Sequence, residues 1–358
     1  MEKNNEPKIL AIETSCDETA AAVLIGAKIK SNIIYSQLNL HKKTKGIVPE
    51  VASRAHIEKI ILVIKQALQA ARVRPLQIDL IAVTVGPGLI GSLLVGVDTA
   101  KTLGFIWDKS IVPVNHIEGH IYANFIGKLP ATSYKLPTFP AVALVVSGGH
   151  TSLILMRGHG NYKLLGSTLD DAAGEAFDKV ARILDLGYPG GPAISAAAES
   201  CQQTAAGCQL SLPRPMIKTN NFDFSFSGLK TAVLYTVQDL KKHYKVTQLP
   251  NYTITAVAAE FQQAVVDVLV NKTIKAARKY NAKSILLGGG VAANKLLRRQ
   301  LRSAVKKELP VSCFLFPALS LCTDNAAMIG LCAYYKYLAD KKNLKNWREI
   351  KIDLNPKL

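Results

Sequence analysis

Two stretches of the sequence share one plan, PKILAIETSCDETAAAVLIG at Pro7–Gly26 and PAVALVVSGGHTSLILMRG at Pro140–Gly158. In each, a short apolar run is followed by a polar turn and a second apolar run. Short apolar runs bounded by turn residues predict buried strands. Two copies of one strand–turn–strand unit predict a duplicated α/β chain in which each copy opens one lobe, with a central cleft between the lobes. A chance likeness of two hairpins is the alternative.

The surrounding segments continue this pattern. KIKSNIIYSQ predicts a third strand, and the apolar spacing over about 47–71 predicts a helix. IDLIAVTVGPGLIGSLLVGVDTAKTLGFIW predicts a strand, a glycine-rich turn and a helix. Residues 127–140 contain three prolines without periodicity, which predicts a linker between the lobes. We therefore expect an N-terminal lobe at 8–128, completed by a C-terminal helix at 325–342, and a second lobe at 138–324.

Composition narrows the class of protein. The chain has 358 residues, of which 49% are hydrophobic and 20% charged, as in a globular protein with a sizeable core. Its apolar N-terminal run is interrupted by Glu13, Asp17 and Glu18, which argues against a signal peptide and a membrane span. The cysteines are scattered without a C-x-x-C pair, as in a reducing compartment. We expect a cytoplasmic protein with no membrane association.

The positive charge of the chain is concentrated. The net charge is +18, and residues 271–310 hold eleven lysines or arginines and one acid, Glu308. Such a cluster is either a solvated face or a surface for a polyanion, with nucleic acid ahead of membrane. If nucleic acid binds there, the residues that we expect to grip it are Lys295, Arg298, Arg299 and Arg302.

The stretch VNHIEGHIYANF at Val114–Phe125 sets two histidines around a carboxylate. On a helix, His116 and His120 lie one turn apart on one face, which suits two ligands of one metal. Glu118 lies about 200° around the helix from His116, so it points away and cannot serve as the base of a metalloprotease. A third ligand must come from elsewhere. Asp324 in LCTDNAAMIG is a candidate, although it could equally cap the helix that follows.

Two glycine-rich turns follow predicted strands. VVSGGHTS places Ser147, Gly148 and Gly149 between two strands, and LLGGGVAANKLL leads into a helix expected to begin near Ala292. Backbone amides in such turns can approach an anion or a ribose closely. Neither turn has the spacing of a P-loop or of the dinucleotide fingerprint. Together they predict nucleotide binding.

An acidic cluster occurs within this basic chain, in LDDAAGEAFDKVARILDLGYPGGPAIS. A helix would place Asp171, Glu175 and Asp178 on one side, close to Asp170 and the turn YPGGP. The cluster is either a solvated face or a group of acids that binds hydroxyls or assists a metal in a cleft.

The motifs IETSCDETA, NHIEGH, VSGGHTSL, DDAAGEAFDKVAR, YPGGP, FSFSGLKTAV, GGGVAAN and CTDNAAMIG occur in this order. Over about residues 8–335 the chain resembles the TsaD/Kae-type tRNA threonylcarbamoyladenosine synthases, once called glycoproteases, and its SLPRPM segment resembles the bacterial branch. The resemblance implies an actin/Hsp70-like two-lobe ATPase fold. It also implies transfer of a threonylcarbamoyl group from threonylcarbamoyl-AMP to the adenosine 3′ of the anticodon, in tRNAs that read codons beginning with A.

The same resemblance implies the site residues. His116, His120 and Asp324 match the metal ligands of the family, for one Fe²⁺ or Zn²⁺ per subunit. The positions that match those holding the adenylate are Val145, Val146, Ser147, Gly148, Gly149, Asp178, Gly191 and Asn294. No catalytic residue is identified, and Glu13, Glu118 and His150 are candidate cleft residues. Ser195 departs from the aspartate that many members carry, which leaves a ribose contact open.

The resemblance implies partners too, namely tRNA, an inactive paralogous subunit of TsaB type and a small ATPase of TsaE type. Rival functions fit less well. A metallopeptidase would need a base that Glu118 cannot supply, and a sugar or acetate kinase of the same fold would not need the histidine pair. A non-catalytic scaffold would be expected to lack the histidines and Asp324.

Overall fold

The first half of the chain forms a five-stranded mixed sheet in the computed structural model, which describes residues 6–44, 46–126, 136–201 and 210–358. Its strands are β1 (Lys8–Glu13), β2 (Glu18–Ile25), β3 (Lys28–Ser36), β4 (Leu80–Gly86) and β5 (Ser110–Asn115), in the order β3-β2-β1-β4-β5. Strands β1, β2 and β3 form an antiparallel meander, and β4 and β5 add in parallel on the other side of β1.

The second sheet repeats this topology. Its strands are β6 (Ala141–Val146), β7 (Thr151–Gly158), β8 (Asn161–Ser167), β9 (Ser284–Gly288) and β10 (Cys313–Leu315), in the order β10-β9-β6-β7-β8. Strand β6 pairs antiparallel with β7 and parallel with β9, and β9 pairs parallel with β10. The strand orders are equivalent, so the duplicated fold predicted from the two hairpins is confirmed, and chance likeness is excluded.

Ten α-helices connect and cover the strands in the described part of the chain. They are α1 (Leu38–Thr44), α2 (Pro49–Ala71), α3 (Ile90–Trp107), α4 (His116–Tyr122), α5 (Ala173–Ile183), α6 (Gly190–Cys201), α7 (Ser227–Tyr244), α8 (Asn251–Lys279), α9 (Lys295–Glu308) and α10 (Ala326–Ala339). The helix expected at about 47–71 is therefore present as α2. The C-terminal helix expected at 325–342 ends earlier, at Ala339, and a 3-10 turn at Lys341–Asn343 follows it.

The described residues divide into two compact units. One contains the chain up to Leu136 with Gly158–Tyr162 and Pro317–Leu358, and the other contains Pro137–Arg157 and Lys163–Phe316. Residues 158–162 and 317–324, which were expected in the second lobe, therefore belong to the first unit. The expected linker at 127–140 lies largely outside the described residues.

The packing of the first unit's core determines where the candidate site of this unit lies. Alternate residues of β1 face opposite sides of the sheet. Leu10 and Ile12 pack with α2 and α3, whereas Ala11 faces the small residues of α10. At Gly330 an added Cβ would lie 3.1 Å from the Cβ of Ala11, so glycine lets α10 lie directly on the sheet. The start of α10 therefore comes close to the carboxyl ends of β1 and β5, an edge where α/β folds place their sites.

Two helices, α3 and α8, are long and apolar enough to cross a membrane by length and composition alone. Core helices pass the same test. In this fold α3 packs against β4, β5 and α2, and α8 packs against α6 and α9. The two helices are therefore weak evidence for a membrane span.

Candidate metal centre and substrate site

The two histidines and Asp324 converge in the first unit. Strand β5 ends at Asn115, whose Oδ1 accepts a hydrogen bond from the backbone N–H of Ile117 at 2.8 Å and so caps α4. One turn of α4 then sets His116 and His120 with ring centroids 4.6 Å apart. Asp324 Oδ1 lies 3.4 Å from His116 Nε2 and 3.3 Å from His120 Nε2. These ligand atoms all lie within 4.8 Å of one another, so the fold brings the predicted ligand set together.

Asp324 does not cap the following helix. The N-cap of α10 is Asn325, whose side chain accepts from the backbone N–H of Met328 at 3.1 Å. The carboxylate of Asp324 is therefore left for the histidines, and the capping alternative left open by the sequence is wrong.

A carboxylate orients the first histidine. Nδ1 of His116 lies 3.0 Å from Glu13 Oε2 and 3.1 Å from Ser15 Oγ. Glu13 also accepts hydrogen bonds from Thr84 Oγ1 at 2.6 Å and from the backbone N–H of Ser15 at 2.5 Å. An ionised carboxylate only accepts, so Nδ1 of His116 carries the hydrogen and Nε2 is left toward Asp324. Glu13 is fully buried and acts on the centre through His116.

The second histidine supports a bound cation. His120 is fully buried, and neither ring nitrogen has a hydrogen-bond partner among the described residues. Buried polar atoms without partners are rare because leaving them unsatisfied is costly. Nε2 of His120 is close to Asp324 without the geometry of a hydrogen bond, as expected for two ligands of one ion. Two imidazoles and a carboxylate suit a first-row divalent metal such as iron or zinc, so the residues fit the metal.

The electrostatics of the centre favour a cation. Burial opposes ionisation of Asp324, but His116 and His120 together outweigh it and hold the pKa of Asp324 well below its ordinary value. Burial likewise opposes protonation of His116, yet Asp324 and Glu13 raise the pKa of His116. Burial and the charge of His116 lower the pKa of His120, which is therefore a neutral imidazole able to ligate. The carboxylates of Asp324 and Glu13, which raise the pKa of His116, would also stabilise a bound metal cation.

Further acids surround the centre. Burial and then Asp17 raise the pKa of Glu18 to about 8, and burial followed by Asp324 raises the pKa of Asp17. Burial raises the pKa of the Cys16 thiol well above its ordinary value. Cys16 is therefore protonated at neutral pH and is not an activated nucleophile.

Glu118 occupies the opposite face of α4. Its Oε2 lies 2.8 Å from Lys336 Nζ and accepts from Cys332 Sγ at 3.4 Å, both on α10. The helical spacing predicted that Glu118 points away from the metal face, and this is confirmed. Glu118 is buried between the two helices.

The first glycine-rich turn of the second unit leaves room for a ligand. Val145 and Val146 end β6, and the turn is closed by hydrogen bonds from Ser147 N to His150 O at 2.8 Å and from His150 N to Ser147 Oγ at 3.1 Å. A Cβ added at Gly148 or Gly149 would meet no atom within 4 Å. His150 thus belongs to this turn, in the unit that does not contain the histidine pair.

The second turn lies beside the first. Val145 of β6 pairs with Gly288 of β9, and Gly289 has φ +89° with its Cα close enough to β6 that a Cβ would lie 2.3 Å from Val146 O. Only glycine fits there. The following helix starts later than expected near Ala292, because Gly290–Ala293 forms a 3-10 turn and Asn294 caps α9.

Asn294 is held by two residues from other helices. Its Nδ2 donates to Gln262 Oε1 at 2.8 Å and to Ser195 Oγ at 3.2 Å, and Ser195 Oγ donates to Gln262 at 2.8 Å. Ser195 therefore helps to orient Asn294. Gln262 was missed from the sequence. The only signal would have been a polar residue on the apolar face of α8, where it is buried.

Asp178 and Gly191 meet at the start of α6. Asp178 Oδ1 accepts from the backbone N–H of Gly190 at 2.7 Å, and a Cβ at Gly191 would enter open space. Burial is the main cause that raises the pKa of Asp178, and the hydrogen bond from Gly190 partly offsets it. Asp178 lies on α5, close to the N-terminus of α6, where an anion or a hydroxyl can also bind.

Two of the other acids in this cluster have structural roles. Asp170 accepts hydrogen bonds from Ser225 Oγ and Ser227 Oγ, at the start of α7. Asp171 pairs with Lys179 at 2.7 Å. Asp171 also precedes α5, which begins at Ala173, so the expectation that it shares one side of a helix with Glu175 and Asp178 is wrong.

The basic segment is partly engaged in protein contacts. Lys272 is buried and donates to Thr219 Oγ1 at 3.0 Å, and Arg278 pairs with Glu308 at 2.5 Å. On α9 the guanidinium groups of Arg298 and Arg302 lie over the ring of Phe316, at 4.4 and 5.0 Å from its centroid. The other two expected contacts are Lys295, which is largely exposed although it reaches Glu199, and Arg299, which is exposed.

Comparisons with known proteins identify the family of this chain. The family model "TsaD: tRNA N6-adenosine threonylcarbamoyltransferase" matches residues 28–331. A protein of that name from Thermomicrobium roseum is 54% identical over 91% of each chain, and one from Geobacillus kaustophilus is 47% identical over 100% of this chain and 98% of its own.

The fold has a wider likeness. The crystal structure of HypF from T. kodakarensis matches 95% of this chain with a TM-score of 0.61 at 14% identity, and the chain spans about half the length of that protein. This likeness concerns the fold alone, and the predicted actin/Hsp70-like class is confirmed. By the match over most of its length and its identity to these relatives, the chain belongs to the TsaD family of tRNA N6-adenosine threonylcarbamoyltransferases.

Proposed function

We propose that this protein transfers the threonylcarbamoyl group of threonylcarbamoyl-AMP to N6 of the adenosine 3′ of the anticodon, in tRNAs that read codons beginning with A. Family membership supports the reaction. The structural observation that supports the proposal, apart from family membership, is the cluster of His116, His120 and Asp324. Neither ring nitrogen of His120 has a hydrogen-bond partner among the described residues.

The reaction needs positioning more than activation, because AMP is a good leaving group. The N6 nitrogen bonds to the carbamoyl carbon, the bond from that carbon to the phosphate oxygen breaks, AMP leaves with the electron pair, and the amine releases a proton. Holding the two reactants in the geometry of attack can lower the barrier by roughly 7–11 kcal/mol. No nucleophilic serine or cysteine is required, which agrees with the protonated thiol of Cys16.

The second unit is the proposed adenylate site. The segment from Val145 to Gly149 offers backbone N–H groups and open space at its two glycines. Asp178 and the backbone at Gly191 are available to bind a hydroxyl or a phosphate. Gln262 orients the side chain of Asn294. These groups bind and orient the adenylate and leave its carbamoyl end free to react.

The first unit is the proposed metal centre, with His116, His120 and Asp324 as ligands of one Fe²⁺ or Zn²⁺. An ion held by these three residues would supply Lewis-acid chemistry toward an oxygen of the substrate. The role of Glu13 is to fix the ring of His116, with Nε2 toward the metal position.

We also propose that the protein works in the cytoplasm with two partners, an inactive paralogue of TsaB type and a small ATPase of TsaE type. Four apolar side chains of α2 and α3 are each at least 64% exposed, which supports a protein partner for the first unit: Ile57, Ile61, Phe105 and Ile106. The substitution Ile61→Lys should prevent co-elution with the paralogue in size-exclusion chromatography and leave the metal content unchanged. Normal co-elution would contradict this surface.

The test of the function uses purified protein, both partners, threonylcarbamoyl-AMP and unmodified tRNA. Mass spectrometry of the digested tRNA should detect threonylcarbamoyladenosine with the native protein and almost none with His116→Ala. Product formation at the same rate without the protein, or peptide cleavage by the pure protein that metal chelation abolishes, would contradict the proposal.

A further inference from the structure

The helix that carries the histidines is pressed against α10 by its opposite face. At Gly119 an added Cβ would lie 2.7 Å from Ile329 Cδ1 and 3.3 Å from Met328 Cγ, both on α10. Because glycine has no side chain here, the two helices come into close contact. This packing sets the distance between α4 and α10, and all seven residues of α4 are buried.

A partly buried ion pair adds a directional contact between the Glu118 face of α4 and α10. Lys336 Nζ lies 2.8 Å from Glu118 Oε2, and their side chains are only 22% and 8% exposed. The same Nζ donates to the backbone carbonyl of Pro113 at 3.3 Å, in the strand that leads into α4. Cys332 Sγ donates to the same carboxylate oxygen. One lysine thus joins the last turn of α10 to the middle of α4 and to β5.

Rotation matters because α4 is short and carries two ligands. It has seven residues, and an imidazole nitrogen lies roughly 5–6 Å from the helix axis. A turn of about 20° would therefore move both Nε2 atoms by about 2 Å, whereas metal sites tolerate deviations of about 0.2 Å. Asp324 immediately precedes α10, so the helix that bears Lys336 also places the third ligand.

We propose that Lys336 is a positioning residue for the metal centre: by pairing with Glu118 it sets the rotation of α4, so that His116 and His120 face Asp324. This inference rests on the proposed metal role of those three residues. Lys336 contacts neither the ligands nor a substrate position, and its effect passes through Glu118 and the backbone of α4.

The test measures Zn²⁺ affinity by chelator competition and the d–d absorption spectrum of bound Co²⁺, which reports coordination geometry. Lys336→Met should weaken Zn²⁺ binding by about 10–100-fold, the usual effect of losing a group that orients a ligand. It should also change the Co²⁺ spectrum. Lys336→Arg keeps the ion pair and should restore both, which a general loss of stability would not allow.

Two further variants keep the test decisive. Lys336→Met leaves Glu118 buried without its partner and could fail to fold. The double variant Glu118→Gln/Lys336→Met carries no buried charge, and should fold and show the same weakened binding. Glu118→Gln alone still accepts from Lys336 and should bind metal almost normally. Lys341→Met, in an exposed lysine beyond α10, is the matched control and should change nothing.

Unchanged affinity and spectrum in the double variant would overturn the role of Lys336 and leave the metal centre intact. Failure of the native protein to bind either Zn²⁺ or Co²⁺ would overturn the metal centre itself, and this inference with it. The two failures are therefore distinguishable.

Discussion

The two units share one topology but build opposite kinds of site on it. In the first, the ends of β1 and β5 carry Glu13, Ser15 and His116, which are buried and bonded to one another. In the second, the equivalent end of β6 carries Ser147, Gly148 and Gly149, with open space at both glycines. The first site is therefore built mainly on buried ionisable side chains, whereas the glycine-rich turn of the second unit offers backbone groups and open space. Substitutions should therefore disrupt the two sites in different ways. Loss of a charged side chain should disrupt the first site, and addition of a side chain should disrupt the second.

The largest effect is expected from His116→Ala, which removes one ligand of the first site and the partner of Glu13. Most bound iron or zinc should be lost, together with most transferase activity, while AMP binding to the second unit persists. Elemental analysis of the purified variant and calorimetry with AMP provide the measurement. His243→Ala, in an exposed histidine of α7, is the control. A variant that keeps one metal per chain would contradict the ligand assignment.

The converse change is Gly149→Val, which adds a side chain where the second unit has open space. An added Cβ at this position meets no atom within 4 Å, so stability and metal content should stay close to normal. AMP binding should weaken by about tenfold or more, equivalent to at least ~1.4 kcal/mol. The control is Gly228→Ala in α7, which also enters open space. Unaltered AMP affinity would show that this turn does not hold the adenylate.

Removal of residues 347–358 should have a smaller effect, which is confined to the stability and metal binding of the first unit. Ile350 is buried, Asp353 N donates to Val85 O at 2.9 Å, and Asn115 Nδ2 donates to Pro356 O at 3.3 Å. Loss of the Ile350 contacts alone should lower the free energy of unfolding by about 1.5–3 kcal/mol.

The truncated protein should also bind metal more weakly, because Asn115 caps α4, but bind AMP as before. Thermal unfolding and metal titration give the measurement, with removal of residues 357–358 alone as the control. Equal losses of metal and AMP binding would indicate general unfolding and would break the distinction between the units.

The smallest effect is expected from neutralising Lys295 and Arg299 to glutamine on the exposed face of α9. If this face contacts tRNA, binding should weaken and the slope of log affinity against log salt should fall by about one per lost phosphate contact. AMP binding and metal content should not change. An unaltered slope would identify the segment as a solvated face.

Local patterns predicted much of this molecule. The two hairpins were predictable because apolar alternation and turn residues lie within some twenty residues of each other, and the pairing of His116 with His120 needs only helical spacing. The link from Glu118 to Lys336 joins residues 218 apart, and that from Asn294 to Gln262 joins two helices. Neither contact can be predicted from the local periodicity of the sequence, so both became visible only in the folded structure. Asp324 stands between these cases. The sequence proposed it, but only the fold showed that Asn325 provides the helix cap instead.

The central claim is that His116, His120 and Asp324 hold one transition metal in the first unit. Crystals of the purified protein, with diffraction data collected on both sides of the iron and zinc absorption edges, would test it most directly. We expect one anomalous peak about 2.0–2.2 Å from Nε2 of both histidines and from a carboxylate oxygen of Asp324. Absence of any peak there in protein that is active with tRNA, or a peak bound by other residues, would contradict the account.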